Sequence, residues 1–158
     1  SVYGENHSRV ASVYNDIGEI YSVQGDDFKA LDYFKKSLKI VLSVYGENHS
    51  QVSSIYDHIG EIYFAQKDYS KALYYFEESL KIRLSLFGEN HPEVALSYYS
   101  IGSLYIIQGD KSKALNYYEK SLKIRLSVYG ENHPLTKEIM DLINVANSKV
   151  LQSPETTK

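Results

Sequence analysis

The chain has 158 residues, of which 43% are apolar and 23% charged, a balance typical of a folded globular domain. It contains no cysteine, which excludes disulfide frameworks, thiolate metal sites and cysteine nucleophiles. The net charge of −3 argues against a dedicated nucleic-acid-binding protein, because such proteins carry a basic footprint. No apolar run approaches the roughly 18 residues of a membrane-spanning helix, and the first residues do not resemble a signal peptide. We therefore expect a cytoplasmic protein with no nucleic-acid or membrane partner.

One short motif recurs along the chain at a fixed spacing. Three copies read Tyr-Gly-Glu-Asn-His and one reads Phe-Gly-Glu-Asn-His, and their glycines lie 42 residues apart, at Gly4, Gly46, Gly88 and Gly130. A fixed period in the range of roughly 20–50 residues indicates a repeat architecture, in which stacked copies bury a common core.

Each repeat is predicted to form two helices, because apolar residues recur at intervals of three and four. The first helix follows the motif histidine and ends at a turn that contains Gly25, Lys67 or Gly109 in successive repeats. The second helix ends at the glycine of the next motif. We predict repeat units at about residues 8–45, 50–87 and 92–129.

The two ends of the repeat array depart from this pattern. A fourth first helix is predicted at about residues 134–151, followed by a polar tail at residues 152–158 instead of a partner helix. We interpret it as a C-terminal capping helix, so that a single array spans residues 1–151. At the other end, residues 1–3 are expected to be the end of a preceding second helix.

A glycine stands in the middle of each first helix, at Gly18, Gly60 and Gly102. Each costs about 1 kcal/mol relative to alanine in a helix interior. A repeated cost of this kind predicts that the two helices of each hairpin approach closely at the glycine.

The arrangement of these residues resembles the tetratricopeptide repeat (TPR). In that family an aromatic residue, a Leu-Gly pair and a tyrosine follow one another on the first helix, as Tyr14, Ile17-Gly18 and Tyr21 do here. The period exceeds the usual ~34 residues and is similar to that of kinesin light chains and nephrocystin-like proteins. The resemblance implies an all-α, right-handed superhelical solenoid of TPR helix hairpins with a C-terminal capping helix.

The resemblance also implies that the first helices line a concave groove that holds a peptide or a partner helix. The implied groove residues are acidic or polar in the first two repeats and largely apolar in the third: Asn15, Asp16, Glu19, Asp57, His58, Glu61, Phe64, Leu96, Tyr99, Ser103, Ile106 and Ile107. None is Lys or Arg, which disfavours acidic ligands, since a carboxylate needs charged donors. Basic residues of the second helices are expected on the outer face: Lys35, Lys36, Lys39, Lys81, Arg83, Lys120, Lys123 and Arg125.

These groove residues predict a protein or peptide ligand with Lys or Arg at one end and Leu- or Phe-type anchors at the other. His58 is expected to lie among Asp16, Asp57 and Glu61, so that a basic ligand binds more tightly once His58 has lost its proton.

No residue pattern indicates a catalytic site or a cofactor. The motif histidines His7, His49, His91 and His133 lie too far apart to share one metal ion, and we interpret them as organising the turns. We therefore expect a non-catalytic protein-interaction scaffold with no cofactor or metal. The alternative is a self-associating structural module or an engineered consensus repeat, which forms homo-oligomers through exposed array ends or helix swapping.

Overall fold

The computed structural model describes the backbone of residues 2–148 and the side chains of residues 7–148. Within this range the chain forms seven helices and no strand, which confirms the all-α prediction. The predicted tail at residues 152–158 and the last residues of the predicted fourth first helix lie outside the described residues. The helices are α1 (Val2–Val23), α2 (Asp27–Tyr45), α3 (Ser50–Ala65), α4 (Tyr69–Phe87), α5 (Pro92–Ile107), α6 (Lys111–Tyr129) and α7 (Pro134–Ser148).

The turn inside each hairpin uses one residue with positive φ, followed by an aspartate. Gly25 and Gly109 have φ values of 77° and 82°, and Lys67 takes the same left-handed region at 62°. The next residue caps the second helix, since the Asp26 carboxylate accepts a hydrogen bond from the Lys29 backbone N–H at 3.1 Å. The second and third hairpins contain the equivalent bond.

The turn between repeats explains why the motif joins an aromatic residue, a glycine and a histidine. Gly46 ends α2 with a φ of 80°. His49 then caps α3, because its Nδ1 accepts a hydrogen bond from the Gln51 backbone N–H at 3.3 Å. The His49 ring also stacks on Tyr45, with the ring centroids 4.3 Å apart. The copies at His91 and His133 are built in the same way, which confirms the interpretation for these three histidines. His7 was expected to do the same, but it lies inside α1.

The first copy of the motif corrects one expectation. Residues 1–3 were predicted to end a preceding helix, but Val2–Val23 is one continuous helix that runs through Gly4. The other three motif glycines each follow a helix of 19 residues, whereas Gly4 lies inside α1.

The two helices of each hairpin approach closely at the central glycine, as the sequence predicts. A Cβ atom on Gly60 would lie 2.7 Å from Cε1 of Phe76, and a Cβ on Gly18 would lie 2.8 Å from Cδ1 of Phe34. Gly102 and Tyr118 repeat this contact at 2.7 Å. A buried serine adds a polar tie in the first and third hairpins, where Ser37 and Ser121 donate to α1 and α5 carbonyl oxygens.

The chain divides into two compact units, Ser1–Leu86 and Phe87–Lys158. The first unit pairs α1 with α2 and buries a core from α1, α2, α3 and α4: Ala11, Ala30, Phe34, Val41, Val52, Ile55, Ile59, Ile62 and Ile82. In the second unit α5 pairs with α6, and α7 packs on α6 through Thr136 and Ile139, both fully buried. The predicted single array over residues 1–151, with its repeat boundaries, stays a prediction.

The glycine contact predicts a large loss of stability in Gly60→Leu. Overpacking of a core costs about 1–3 kcal/mol, and the Phe76 ring must move to admit a branched side chain. We expect the melting temperature to fall by several degrees in thermal unfolding followed by circular dichroism.

Glu77→Leu is the matched control, because it adds the same side chain at an exposed position of α4. Equal melting temperatures for the two variants would contradict the packing role of Gly60.

Candidate functional site

Charged side chains of α1 and α3 meet on the surface of the first unit. The His58 Nε2 atom lies 3.3 Å from the Glu19 carboxylate and its Nδ1 lies 3.9 Å from the Glu61 carboxylate. The Asn15 side-chain amide donates a hydrogen bond to the Glu19 carboxylate at 2.6 Å. We call Asp16, Glu19, His58 and Glu61 the acidic surface.

His58 links the two helices and is partly buried. Its ring stacks on Phe34, with centroids 5.1 Å apart. The Glu61 carboxylate is the largest cause that raises the pKa of His58 above its ordinary value; burial opposes it, and the charges of Glu19 and Asp57 add to the rise. The sequence placed His58 beside Asp16, whereas the observed contact on α1 is with Glu19.

Asp57 does not contribute to the acidic surface, because its carboxylate is paired with a buried arginine. Arg83 is only 4% exposed, and its Nη2 atom lies 2.7 Å from the Asp57 carboxylate. Burial raises the pKa of the Asp57 carboxyl to about 6, and the Arg83 charge opposes this rise. The pair therefore adds little net charge to this face.

The same observation corrects the expected outer-face position for two of the eight basic residues of the second helices. Arg83 and Arg125 are both 4% exposed. Arg125 reaches α7, where its Nη1 donates to the Leu135 carbonyl oxygen and lies 3.3 Å from the Glu138 carboxylate. A long side chain can place its charged head far from its own backbone.

A cleft of about 140 Å³ opens beside the acidic surface in the first unit. Three of its polar lining residues are Asn15 and Asp16 of α1 and Gln51 of α3. Among residues 7–148, the structure gives no hydrogen-bond partner to the buried oxygens Asn15 Oδ1 and Gln51 Oε1. The full lining is Ala11, Ser12, Asn15, Asp16, Ser37, Val41, Gln51, Ser54 and Ile55.

Gln51 and Val41 were not among the predicted groove residues. The repeat spacing could have drawn attention to Val41, because it occupies the position that Arg83 and Arg125 occupy in the next two repeats.

The predicted residues of the third repeat differ in how accessible they are. Leu96, Ile106 and Ile107 are 44%, 38% and 50% exposed, and we call these three the apolar surface. Tyr99 is instead held in place, since its hydroxyl donates to Glu138 at 3.1 Å and Arg125 lies over its ring at 5.0 Å.

Ser103 and Phe64, two further predicted groove residues, are half-buried. Ser103 donates to the Tyr99 carbonyl oxygen at 3.0 Å and shares a 3.1 Å hydrogen bond with the Tyr118 hydroxyl. In the first unit, Phe64 packs edge-on against Tyr69, with ring centroids 5.9 Å apart. Neither side chain is as open to a ligand as the apolar surface.

A search for two other kinds of site gave no candidate in the part of the chain that the structure describes. No group of three or more His, Cys, Asp or Glu residues there could hold a metal ion. None of the described helices is both long enough and apolar enough to cross a membrane.

Solved structures with the same fold include several proteins of low sequence identity. BtubC (BKLC) from P. vanneervenii is 20% identical and has a TM-score of 0.74, over 94% of this chain and 67% of that chain. The nearly identical, kinesin-light-chain TPR-like repeats of a Podosopora anserina protein are 17% identical, with a TM-score of 0.76 over 92% and 70%. The first TPR of Spaghetti (RPAP3), solved with the HSP90 peptide SRMEEVD, is 16% identical, with a TM-score of 0.65 over 92% and 96%. These likenesses show the fold.

The family itself is identified from the sequence. No curated protein matches the chain significantly. A family model described as tetratricopeptide repeat matches residues 9–85 and again residues 51–127, in overlapping windows that together span most of the chain. Arrays of this kind serve as protein-interaction scaffolds through extended binding surfaces. The 42-residue spacing, the helix hairpins and this match together show that the chain belongs to the tetratricopeptide repeat family.

Proposed function

We propose that the chain is a non-catalytic scaffold that binds a peptide or a partner helix on its first helices. Within the first unit the acidic surface binds a Lys or Arg, and within the second unit the apolar surface binds a Leu- or Phe-type anchor. The observation that carries the proposal is the pair of exposed carboxylates, Glu19 and Glu61, whose side chains are 48% and 69% exposed.

The chemistry of the acidic surface supports a basic ligand. The ion-pair partner that Glu19 and Glu61 share is His58, a side chain that is neutral above its pKa. Complementary charge steers the encounter and fixes the register of the ligand more than it adds affinity. The apolar surface supplies the complementary half, because Ile106 and Ile107 are exposed apolar neighbours in sequence, and exposed apolar patches mark interaction sites.

A second copy of the chain is the alternative occupant of the apolar surface. Ile107 is 50% exposed on α5, and Val145 is 52% exposed on α7. Isologous contact between two such faces would produce a homodimer. Light scattering over a range of concentrations distinguishes the two: a mass that rises with concentration supports self-association, and a constant monomer mass excludes it.

Reversing the charge of the acidic surface tests whether it binds a Lys or Arg of the ligand. A peptide array in which Lys/Arg and Leu/Phe anchors are varied supplies the probe, and its best peptide is titrated by fluorescence anisotropy. We expect Glu19→Lys with Glu61→Lys to weaken binding roughly tenfold, because each exposed pair is worth about 0.2–1 kcal/mol and reversal replaces attraction by repulsion.

Glu77→Lys with Glu119→Lys is the control, since it makes the same change in net charge at exposed positions of α4 and α6. Equal affinities for the two double variants at low salt would refute the acidic surface as the site.

Ile106→Asp tests the apolar half with the same peptide. A carboxylate placed next to Ile107 must lose water when an apolar anchor docks, so we expect the affinity to fall at least several-fold. Val128→Asp is the control, because Val128 is 43% exposed on the second helix α6. The apolar surface is not the site if Val128→Asp weakens binding as much as Ile106→Asp does.

The raised pKa of His58 gives binding a predictable pH dependence. Protonated His58 offsets Glu19 and Glu61, so we expect a basic peptide to bind more tightly as pH rises through the His58 pKa, above 6.5. The stability of the fold depends on pH in the opposite direction. Because the pKa of His58 is raised in the folded state, His58 stabilises the fold below pH 6.5, and this stabilisation is lost as pH rises through the folded-state pKa.

The measurement is peptide affinity between about pH 5.5 and pH 8, where histidine titrates. Asp57, with its pKa of about 6, also gains negative charge over this range, so His58→Gln is needed to isolate the contribution of His58. A pH profile that is the same in His58→Gln and in the unchanged protein would contradict the prediction.

A further inference from the structure

One position of the second helix has different surroundings in each of the three repeats. Val41, Arg83 and Arg125 are spaced by 42 residues. Arg83 pairs with the Asp57 carboxylate at 2.7 Å, and Arg125 lies beside the Glu138 carboxylate at 3.3 Å. In the first repeat the side chain is a short valine, which carries no donor.

The second unit shows how a guanidinium fills this place. Arg125 donates to the Leu135 carbonyl oxygen, lies 3.3 Å from a Glu138 carboxylate oxygen and packs over the Tyr99 ring at 5.0 Å. It is only 4% exposed. A buried guanidinium is therefore held here by one carbonyl, one carboxylate and one aromatic face.

The residues at the matching positions of the first repeat line the open cleft. Two repeats of 42 residues separate each residue around Arg125 from its counterpart in the first repeat. Asn15 corresponds to Tyr99, Gln51 to Leu135 and Ser54 to Glu138. All three line the cleft of about 140 Å³, together with Val41. The cleft thus occupies the place that the arginine head fills in the second unit.

The cleft presents hydrogen-bond acceptors. Asn15 Oδ1 and Gln51 Oε1 are buried, and among the described residues neither has a hydrogen-bond partner. The orientation of the Asn15 amide is fixed, because its nitrogen donates to Glu19 at 2.6 Å. Asp16 lines the same cleft and supplies a negative charge. The two buried carbonyl oxygens accept hydrogen bonds, and the neighbouring carboxylate favours a donor that carries positive charge.

We propose that this cleft is a subsite for the guanidinium of an arginine supplied by the binding partner, which takes the place that Arg125 fills within the second unit. Arginine fits better than lysine, because its planar head directs five N–H donors to several acceptors, whereas an ammonium is a point charge. The cleft volume of about 140 Å³ is well above the roughly 10–15 Å³ that one water needs, so a head group of four heavy atoms fits.

The inference rests on the proposed function only for the source of the arginine, so the subsite is tested first with a small probe. N-acetyl-arginine methylamide is titrated into the isotope-labelled protein, and the side-chain amide signals of Asn15 and Gln51 are followed by NMR. We expect saturable shifts of both signals. N-acetyl-citrulline methylamide is the matched control, because it has nearly the same shape without the charge, and we expect it to cause no such shifts.

Val41→Arg supplies the guanidinium within the chain. We expect it to abolish the response to the arginine probe and to raise the melting temperature by satisfying the buried oxygens. Val41→Met is its control, because it adds a side chain of comparable length without donors and should not raise the melting temperature. Asn15→Leu, which removes one acceptor, should weaken the arginine response at Gln51 several-fold, and this readout stands even if Val41→Arg does not fold.

The outcomes separate the subsite from the scaffold proposal. Equal shifts from arginine and citrulline, or no shifts from either, would overturn the subsite. If the best array peptide binds the unchanged protein and Val41→Arg equally, the subsite fails and the scaffold stands. If no array peptide binds while the arginine probe shifts Asn15 and Gln51, the scaffold proposal fails and the subsite stands.

Discussion

The contact between a glycine of the first helix and an aromatic ring of the second determines how each hairpin is built. Gly18 meets Phe34, Gly60 meets Phe76 and Gly102 meets Tyr118, each at a spacing that leaves no room for a Cβ atom. Each mid-helix glycine costs helix stability, which close packing of the ring offsets. Because this contact fixes which face of the first helix is buried, it also fixes which side chains of that helix are left for a ligand.

Charge within the first unit is governed by which acidic groups already have a buried partner. Asp57 is paired with Arg83 inside the unit, whereas Glu19 and Glu61 share the titratable His58 as an ion-pair partner. The replacement of arginine by Val41 in the first repeat leaves acceptors in place of a cation. Both features favour a cationic ligand, and both follow from how three copies of one repeat differ.

The repeat made the hairpins, the motif turns and the glycine contacts predictable, because each depends on residues close in sequence and recurs three times. The direction of Arg83 and Arg125 was not predictable, since helical spacing places them on the second helix but the Asp57 carboxylate and the Leu135 carbonyl decide where their heads lie. The contact of His58 with Glu19 likewise joins two repeats.

Nuclear Overhauser spectroscopy tests the hairpin contact most directly. The account predicts strong cross-peaks between the α-protons of Gly18, Gly60 and Gly102 and the ring protons of Phe34, Phe76 and Tyr118, with the glycine signals shifted by the ring currents. Absence of these cross-peaks in a folded, helical sample would contradict it, because the exposed face of each first helix would then no longer be defined by the packing described.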